Sequence, residues 1–101
     1  GKQGVAILNR DNPHFVRCSK HAQNKGLDRV LSFGVHADAW ARLVRYAIDD
    51  AASQIEAVLG GVPIHFSIGA IGKHWALTAL AVLCAVESLG ADVAKAAAAL
   101  R

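Results

Sequence analysis

Between Gly72 and Gly90 the chain carries its longest apolar run, and any fold it adopts has to bury that run. The interior is mostly Ala and Leu, the best helix formers, and the second glycine stands where a helix takes a left-handed C-terminal residue. From Trp75 to Val86 only Thr78 carries a hydroxyl, so the helix is apolar nearly all round and is expected to be covered on most sides. A membrane span needs about 20 apolar residues. This run ends sooner, at Glu87, which makes it a buried core helix.

The whole chain, 101 residues, is one domain at most and long enough to bury a core. It opens Gly1-Lys2-Gln3-Gly4, contains no Met, and stops at Arg101 directly after an Ala run, so it reads as a piece of a longer protein. The net charge is +3 and the pI about 9.2, but the basic residues Arg10, Arg17, Lys20, Lys25, Arg29, Arg42 and Arg45 are scattered. Without a block of like charge, neither a nucleic-acid nor a membrane partner is expected. Cys18 and Cys84 are too few and too far apart for a metal or disulfide framework, so both are expected as free thiols and the compartment as cytoplasmic. The five histidines, 14, 21, 36, 65 and 74, show no metal-ligand spacing, and no metal site is expected.

Taken in order, Val5-Ala6-Ile7-Leu8 is a short continuous apolar run, the pattern of a strand buried on both faces in a parallel sheet. Asn12 is a good N-cap and Pro13 is favoured at the first helical position, which predicts a helix over 13–25 ending at Gly26. Its inward face would be Phe15, Val16, and Cys18 or Ala22. A second strand over 29–33 closes at Gly34 and completes a βαβ unit. After a loop over 35–40, three segments alternate with a period of two. Their apolar faces are Val44, Tyr46 and Ile48, then Ile55, Ala57 and Leu59, then Val62, Ile64, Phe66 and Ile68. Gly60-Gly61 is a two-residue hairpin signal, and Pro63 puts its strand at an edge or turns that amide position outward. A last helix over 93–100, capped by Asp92, would present Val93, Ala97 and Leu100 inward. The expected fold class is α/β: a βαβ portion of a parallel sheet, a three-stranded antiparallel meander, and two C-terminal helices.

Two polar clusters are candidates for function. Asn9-Arg10-Asp11-Asn12 lies past the end of a parallel-type strand, where open α/β sheets bind ligands, although the same residues also serve ordinary turns. Lys73-His74, with Trp75 and Thr78, begins the apolar helix, where free amides and the dipole favour anionic or hydrogen-bonding ligands. The bland alternative is a solvated Lys73 and a packed or capping His74. The chain has no GxxxxGK[ST], GxSxG, HExxH or CxxC, so no catalytic set is recognisable. Asp49-Asp50 reads as a strand end, since adjacent strand residues point to opposite faces.

Leu8-Asn9-Arg10-Asp11-Asn12-Pro13, the Phe33-Gly34 strand end, the meander, and Gly72-Lys73-His74-Trp75-Ala76-Leu77-Thr78-Ala79-Leu80-Ala81 followed by Leu89-Gly90-Ala91 together resemble the Mur ligase family. The resemblance covers almost the whole chain and is to motifs of the form LNxDDP and GxHNxxNALAA. It implies that residues 1–101 are the C-terminal half of a central ATP-binding domain, with the phosphate loop and magnesium ligands upstream. It further implies an ATP- and Mg2+-dependent ligase of peptidoglycan-precursor synthesis that activates a carboxylate as an acyl phosphate for attack by an amine. The branch most resembled adds D-alanyl-D-alanine to UDP-muramoyl-tripeptide, so these are the implied substrates. Asn9, His74, Trp75 and Thr78 are the implied nucleotide-binding residues, with the helix start beside the adenine. The sequence departs from the pattern at Asn12, Trp75 and Thr78. Trp75 and Thr78 cannot both reproduce amide contacts, although an indole can stack and a hydroxyl can donate one hydrogen bond. The piece alone is expected to be inactive and to self-associate through an exposed sheet edge. A different class of function, a small non-enzymatic α/β binding module, is the alternative reading.

Overall fold

The structure is a computed structural model that describes residues 5–26, 29–49, 52–69 and 72–100. Its elements are β1 (Val5–Asn9), α1 (Phe15–Asn24), β2 (Arg29–Gly34), β3 (Ala41–Asp49), β4 (Ala52–Leu59), β5 (Val62–Ile68), α2 (Lys73–Ser88) and α3 (Val93–Ala98). The strands form one sheet in the order β1-β2-β3-β4-β5.

β1 and β2 are parallel, with Ile7 opposite Leu31. β3 is also parallel to β2, but only at Phe33–Ala41 and Gly34–Arg42. Because β3 starts where β2 ends, the short loop over 35–40 joins two parallel strands without the long crossover such pairs usually need. From there β3, β4 and β5 form an antiparallel meander that continues the same sheet. Gly60 and Gly61 both have positive φ, 57° and 87°, as a primed hairpin turn requires. A side chain at Gly60 would also put Cβ 2.8 Å from Trp40 Nε1. β5, which carries Pro63, is at the edge as expected.

The core is the face of this sheet covered by α2. Ala76, Ala79, Leu80, Leu83 and Cys84 recur at helical spacing and are buried against Leu31, Ala41, Leu43, Ile55, Ala57, Leu59, Phe66 and Ile68. α3 closes one flank with Ala97 buried and Val93 packed on the cluster, where Leu100, just past its end, joins them; Asp92 caps it, accepting from Lys95 N at 3.1 Å.

Three expectations are corrected and the one for α2 is sharpened. The core face of β3 is not Val44, Tyr46 and Ile48; it begins with Ala41 and Leu43, and a bulge between Leu43 and Arg45 then shifts the period by one. Tyr46 and Ile48 come opposite Ile55 and Ser53, but Val44 and Ile48 are more than half exposed and β3 is exposed from Val44 onward. In β5 the apolar face is buried only from Phe66, and Val62 is exposed. α1 begins at Phe15, because Asn12 Oδ1 accepts from His14 N at 2.8 Å and closes a separate turn before the helix. Ala22 is then its buried residue, with Phe15 and Ser19 half-buried, while Val16 and Cys18 are exposed. Finally, α2 keeps one open stripe beyond its first turn, with Trp75 50% and Val82 44% exposed and Thr78 between them, and is buried or half-buried elsewhere. Asp49 ends β3, and its neighbour Asp50 lies outside the described residues. Among the described residues no helix is long and apolar enough to cross a membrane.

Leu80→Asp should abolish folding, because Leu80 has no exposed surface and an unpaired buried charge costs several kcal/mol against a total stability of about 5–15 kcal/mol. A cooperative melting curve matching that of the parent would contradict this. Cys84 supplies a pH test. Burial, with a smaller effect from Glu87, pushes its thiol up from 9.0 to about 12. The folded state holds the proton that the unfolded chain releases, so its contribution is complete below pH 9 and is lost as pH rises toward 12. Denaturation midpoints should fall over that window more steeply in the parent than in Cys84→Ala.

Candidate functional site

The carboxyl ends of β1 and β2 are tied together by Asp11. Its carboxylate accepts from Val35 N, at 2.9 Å to Oδ2, and from His36 N, at 3.0 Å to Oδ1. Gly34 sits directly beneath with φ of 150°, and a Cβ there would lie 2.7 Å from Asp11 Oδ2, so the clamp needs glycine for both conformation and space. Arg10 adds to the tie, with its N–H donating to Phe33 O at 2.8 Å, its guanidinium over the Phe15 ring at 4.3 Å, and Asp38 at 3.8 Å. Asn9 Oδ1 accepts from Asp11 N at 2.9 Å. The polar cluster is therefore a turn and a loop clamp. Its turn chemistry was legible in the sequence; the bond to Val35, 24 residues away, was not.

The start of α2 is the second element of the site. Cys84 Sγ donates to Ser32 O at 3.7 Å and Glu87 meets Arg29 at 3.9 Å, so α2 runs antiparallel to β2. At 1.5 Å per residue, Trp75 lies about 14 Å before Cys84 on the helix. The helix start thus projects past the carboxyl end of β2, the end at which ligands approach open α/β sheets. His74 and Trp75 meet edge to face at 5.6 Å. Thr78 Oγ1 donates to His74 O at 3.0 Å. That bond uses the hydroxyl proton and leaves the oxygen an acceptor, which revises the expectation of a donor at this position. Trp75 and Thr78 line an open groove of about 310 Å3 together with Ile68, Gly69, Val82 and Leu100. The arrangement can stack a flat ring on the indole, donate from its Nε1, and accept at Thr78.

The structure therefore brings His74, Trp75 and Thr78 together. Asn9 is in register with Phe33 at the same end of the parallel strands, but among the described residues no hydrogen bond or ion pair joins it to the α2 group. A larger groove, about 510 Å3, lies on the outer sheet face beside Glu56 and His65, where Glu56 is held by Arg45 at 2.9 Å. Among the described residues no three His, Cys, Asp or Glu side chains converge to hold a metal.

Asp11→Ala should loosen the 34–38 loop, because bonds to a charged acceptor contribute about 1.5–3 kcal/mol and this carboxylate is partly solvated. The expected result is a loss of about 1–2 kcal/mol in urea denaturation with faster amide exchange at Val35 and His36. Unchanged exchange at both amides would show that the clamp does not hold in solution.

The sequence pattern of the Mur ligase middle domain matches residues 1–86. The UDP-N-acetylmuramate–L-alanine ligase of Streptomyces avermitilis is 33% identical over 97 residues, covering 96% of this chain and 21% of that protein. A solved UDP-N-acetylmuramoyl-L-alanyl-D-glutamate–2,6-diaminopimelate ligase superposes with a TM-score of 0.87 at 20% identity, over 96% of this chain and 20% of that one. A MurF ligase from Thermotoga maritima, solved in complex with ADP, superposes with a TM-score of 0.76 at 18% identity, over 100% of this chain and 23% of that one. At these structural identities the likeness is one of fold, and the chain spans about a fifth of each relative's length. The sequence match over 1–86 carries the assignment: this chain belongs to the Mur ligase family, through its middle domain.

Proposed function

We propose that the chain forms the base-binding side of the nucleotide site in a cytoplasmic, ATP- and Mg2+-dependent ligase that joins an amine to a UDP-muramoyl peptide in peptidoglycan-precursor synthesis. The carrying observation is the match to the Mur ligase middle domain, which includes the helix start where Trp75 is half exposed over an open groove. The residues fit the adenine end of ATP and not its phosphates. Trp75 offers a stacking face and an N–H, while Thr78 Oγ1 offers an acceptor suited to an exocyclic amino group. The chain contains no glycine-rich phosphate loop, so the phosphates and the magnesium ion are assigned to parts of the ligase outside these residues.

ATP supplies the activation of the carboxylate. In this reading the work of the chain itself is positional. His74 braces the indole edge to face, the Asp11 clamp holds the loops at the carboxyl end of the parallel strands, and the Trp75 indole excludes water from one face of the ring; Asn9 is kept as a nucleotide-binding residue on the motif resemblance alone. D-alanyl-D-alanine as the amine and UDP-muramoyl-tripeptide as its acceptor are the finer part of the proposal. They rest on the motif resemblance, whereas the 33%-identical relative is named an L-alanine ligase.

Base contacts alone contribute about 0.5–1.5 kcal/mol per hydrogen bond, so the 101-residue chain should bind Mg-ATP no tighter than roughly 1 mM, about 4 kcal/mol, and should not hydrolyse it. Millimolar adenosine should quench Trp75 fluorescence and shift the Trp75 and Thr78 resonances, and Trp75→Ala should remove the effect. Shifts confined to other parts of the chain would refute the base site. Micromolar binding with turnover would refute the division of labour.

A further inference from the structure

The turn after β1 and the loop before β3 use one local device three times. A side-chain atom accepts the amide N–H two residues on: Asn9 Oδ1 from Asp11 N at 2.9 Å, Asn12 Oδ1 from His14 N at 2.8 Å, and His36 Nδ1 from Asp38 N at 3.0 Å. The first two acceptors are amide oxygens, which do not titrate. The third is an imidazole nitrogen, which accepts only while it carries no proton. The backbone bond therefore fixes His36 as the neutral ring with its proton on Nε2. The same Nδ1 lies 4.0 Å from Asp38 Oδ2, and the Arg10 guanidinium reaches that oxygen at 3.8 Å. Arg10 also has a second seat, over the Phe15 ring at 4.3 Å. Among the described residues, the charged groups bonded to or paired with this loop are Arg10 and Asp11, from the turn after β1, and Asp38 within it; Asp11 accepts from His36 N.

We infer that His36 is a protonation-controlled latch on the loop over 35–40. Neutral, its Nδ1 holds the Asp38 amide and leaves the Asp38 carboxylate to Arg10. A proton taken from solvent onto Nδ1 ends that acceptance, because the protonated nitrogen can only donate. The new N–H turns to the nearest anion, the Asp38 carboxylate, and competes there with Arg10, which falls back on the Phe15 ring. Imidazole is the side chain whose charge ordinarily changes between about pH 5 and 8, so moderate acidification works the latch. The Asp11 clamp uses the amides of Val35 and His36 and no imidazole atom. It persists in both states, and the change falls on the part of the loop beyond residue 36. The latch depends neither on an open surface nor on the nucleotide site, since all of its groups lie within residues 10–38.

Amide exchange and nitrogen NMR of the 101-residue chain, followed from about pH 8 to pH 5, test this. Exchange at Asp38, divided by its intrinsic rate at each pH, should rise about two- to tenfold as the ring charges, the range that one net hydrogen bond supports. The His36 Nδ1 signal and the Asp38 amide should move with one midpoint. Reading that single amide keeps His14, whose Nδ1 accepts from Arg17 at 3.1 Å, out of the measurement. His36→Asn keeps an acceptor two residues before Asp38, as Asn9 and Asn12 do in their turns, and removes the titration. That variant should hold Asp38 protected across the whole range. Asp38→Asn should move the His36 midpoint to lower pH, because the charged ring loses its carboxylate. A flat exchange ratio at Asp38 in the parent, or a rise that survives in His36→Asn, would overturn the latch. An unmoved midpoint in Asp38→Asn would overturn the exchange of partners with Arg10.

Discussion

The seating of α2 across the joint between β2 and β3 is the interaction on which the rest of the molecule depends. Those two strands share only the Phe33–Ala41 and Gly34–Arg42 pairs, too little ladder to hold the parallel and antiparallel parts of the sheet as one body. Leu80, Leu83 and Cys84 have no exposed surface, and they pack in one cluster with Leu31 before the joint and Ala41 and Leu43 after it. Burial of this stripe supplies non-directional attraction, and the Cys84–Ser32 and Glu87–Arg29 contacts set the direction of the helix. Without α2 the sheet would have two weakly joined halves.

Asp11 performs a related task in polar chemistry. It ties the turn after β1 to the loop that leads from β2 to β3, so the loops at the carboxyl end of the parallel strands are held together. Trp40 then ties the end of that loop to β2 and to the β4–β5 turn, donating to Ser32 Oγ at 3.1 Å and accepting from Gly60 N at 2.9 Å. The helix start and the clamped loops therefore stand at the same end of the sheet, held there by separate interactions. This separation explains how Trp75 and Thr78 can differ from the pattern that the family motif suggests without disturbing the fold. Trp75 is half exposed, and Thr78 satisfies its own proton within the helix.

The exposed apolar surface has a consistent geometry. α2 covers one face of the sheet and keeps one stripe of its own open, and beyond that cover Tyr46, Ile48, Val62, Trp75 and Val82 are left in solvent.

Local chemistry determined most of the elements from the sequence alone. Glycine at 60 and 61, proline at 63, aspartate at 92 and the Ala/Leu composition of α2 each act within a few residues, and each produced the expected turn, edge, cap or helix. The resemblance carried by residues 8–13 and 72–81 pointed to the family for the same reason, since motifs are local patterns. What the tertiary structure decided was phase and coverage. A bulge at Val44 shifts the period of β3 by one residue, and no alternation rule can foresee it because the extra residue is set by pairing with β4. Whether an apolar helix is buried all round or keeps an open stripe depends on how many layers surround it, which is why Trp75 is open while Leu80 is closed. The role of Asp11 likewise required a partner 24 residues away, brought within 3 Å only by the parallel pairing of β1 with β2.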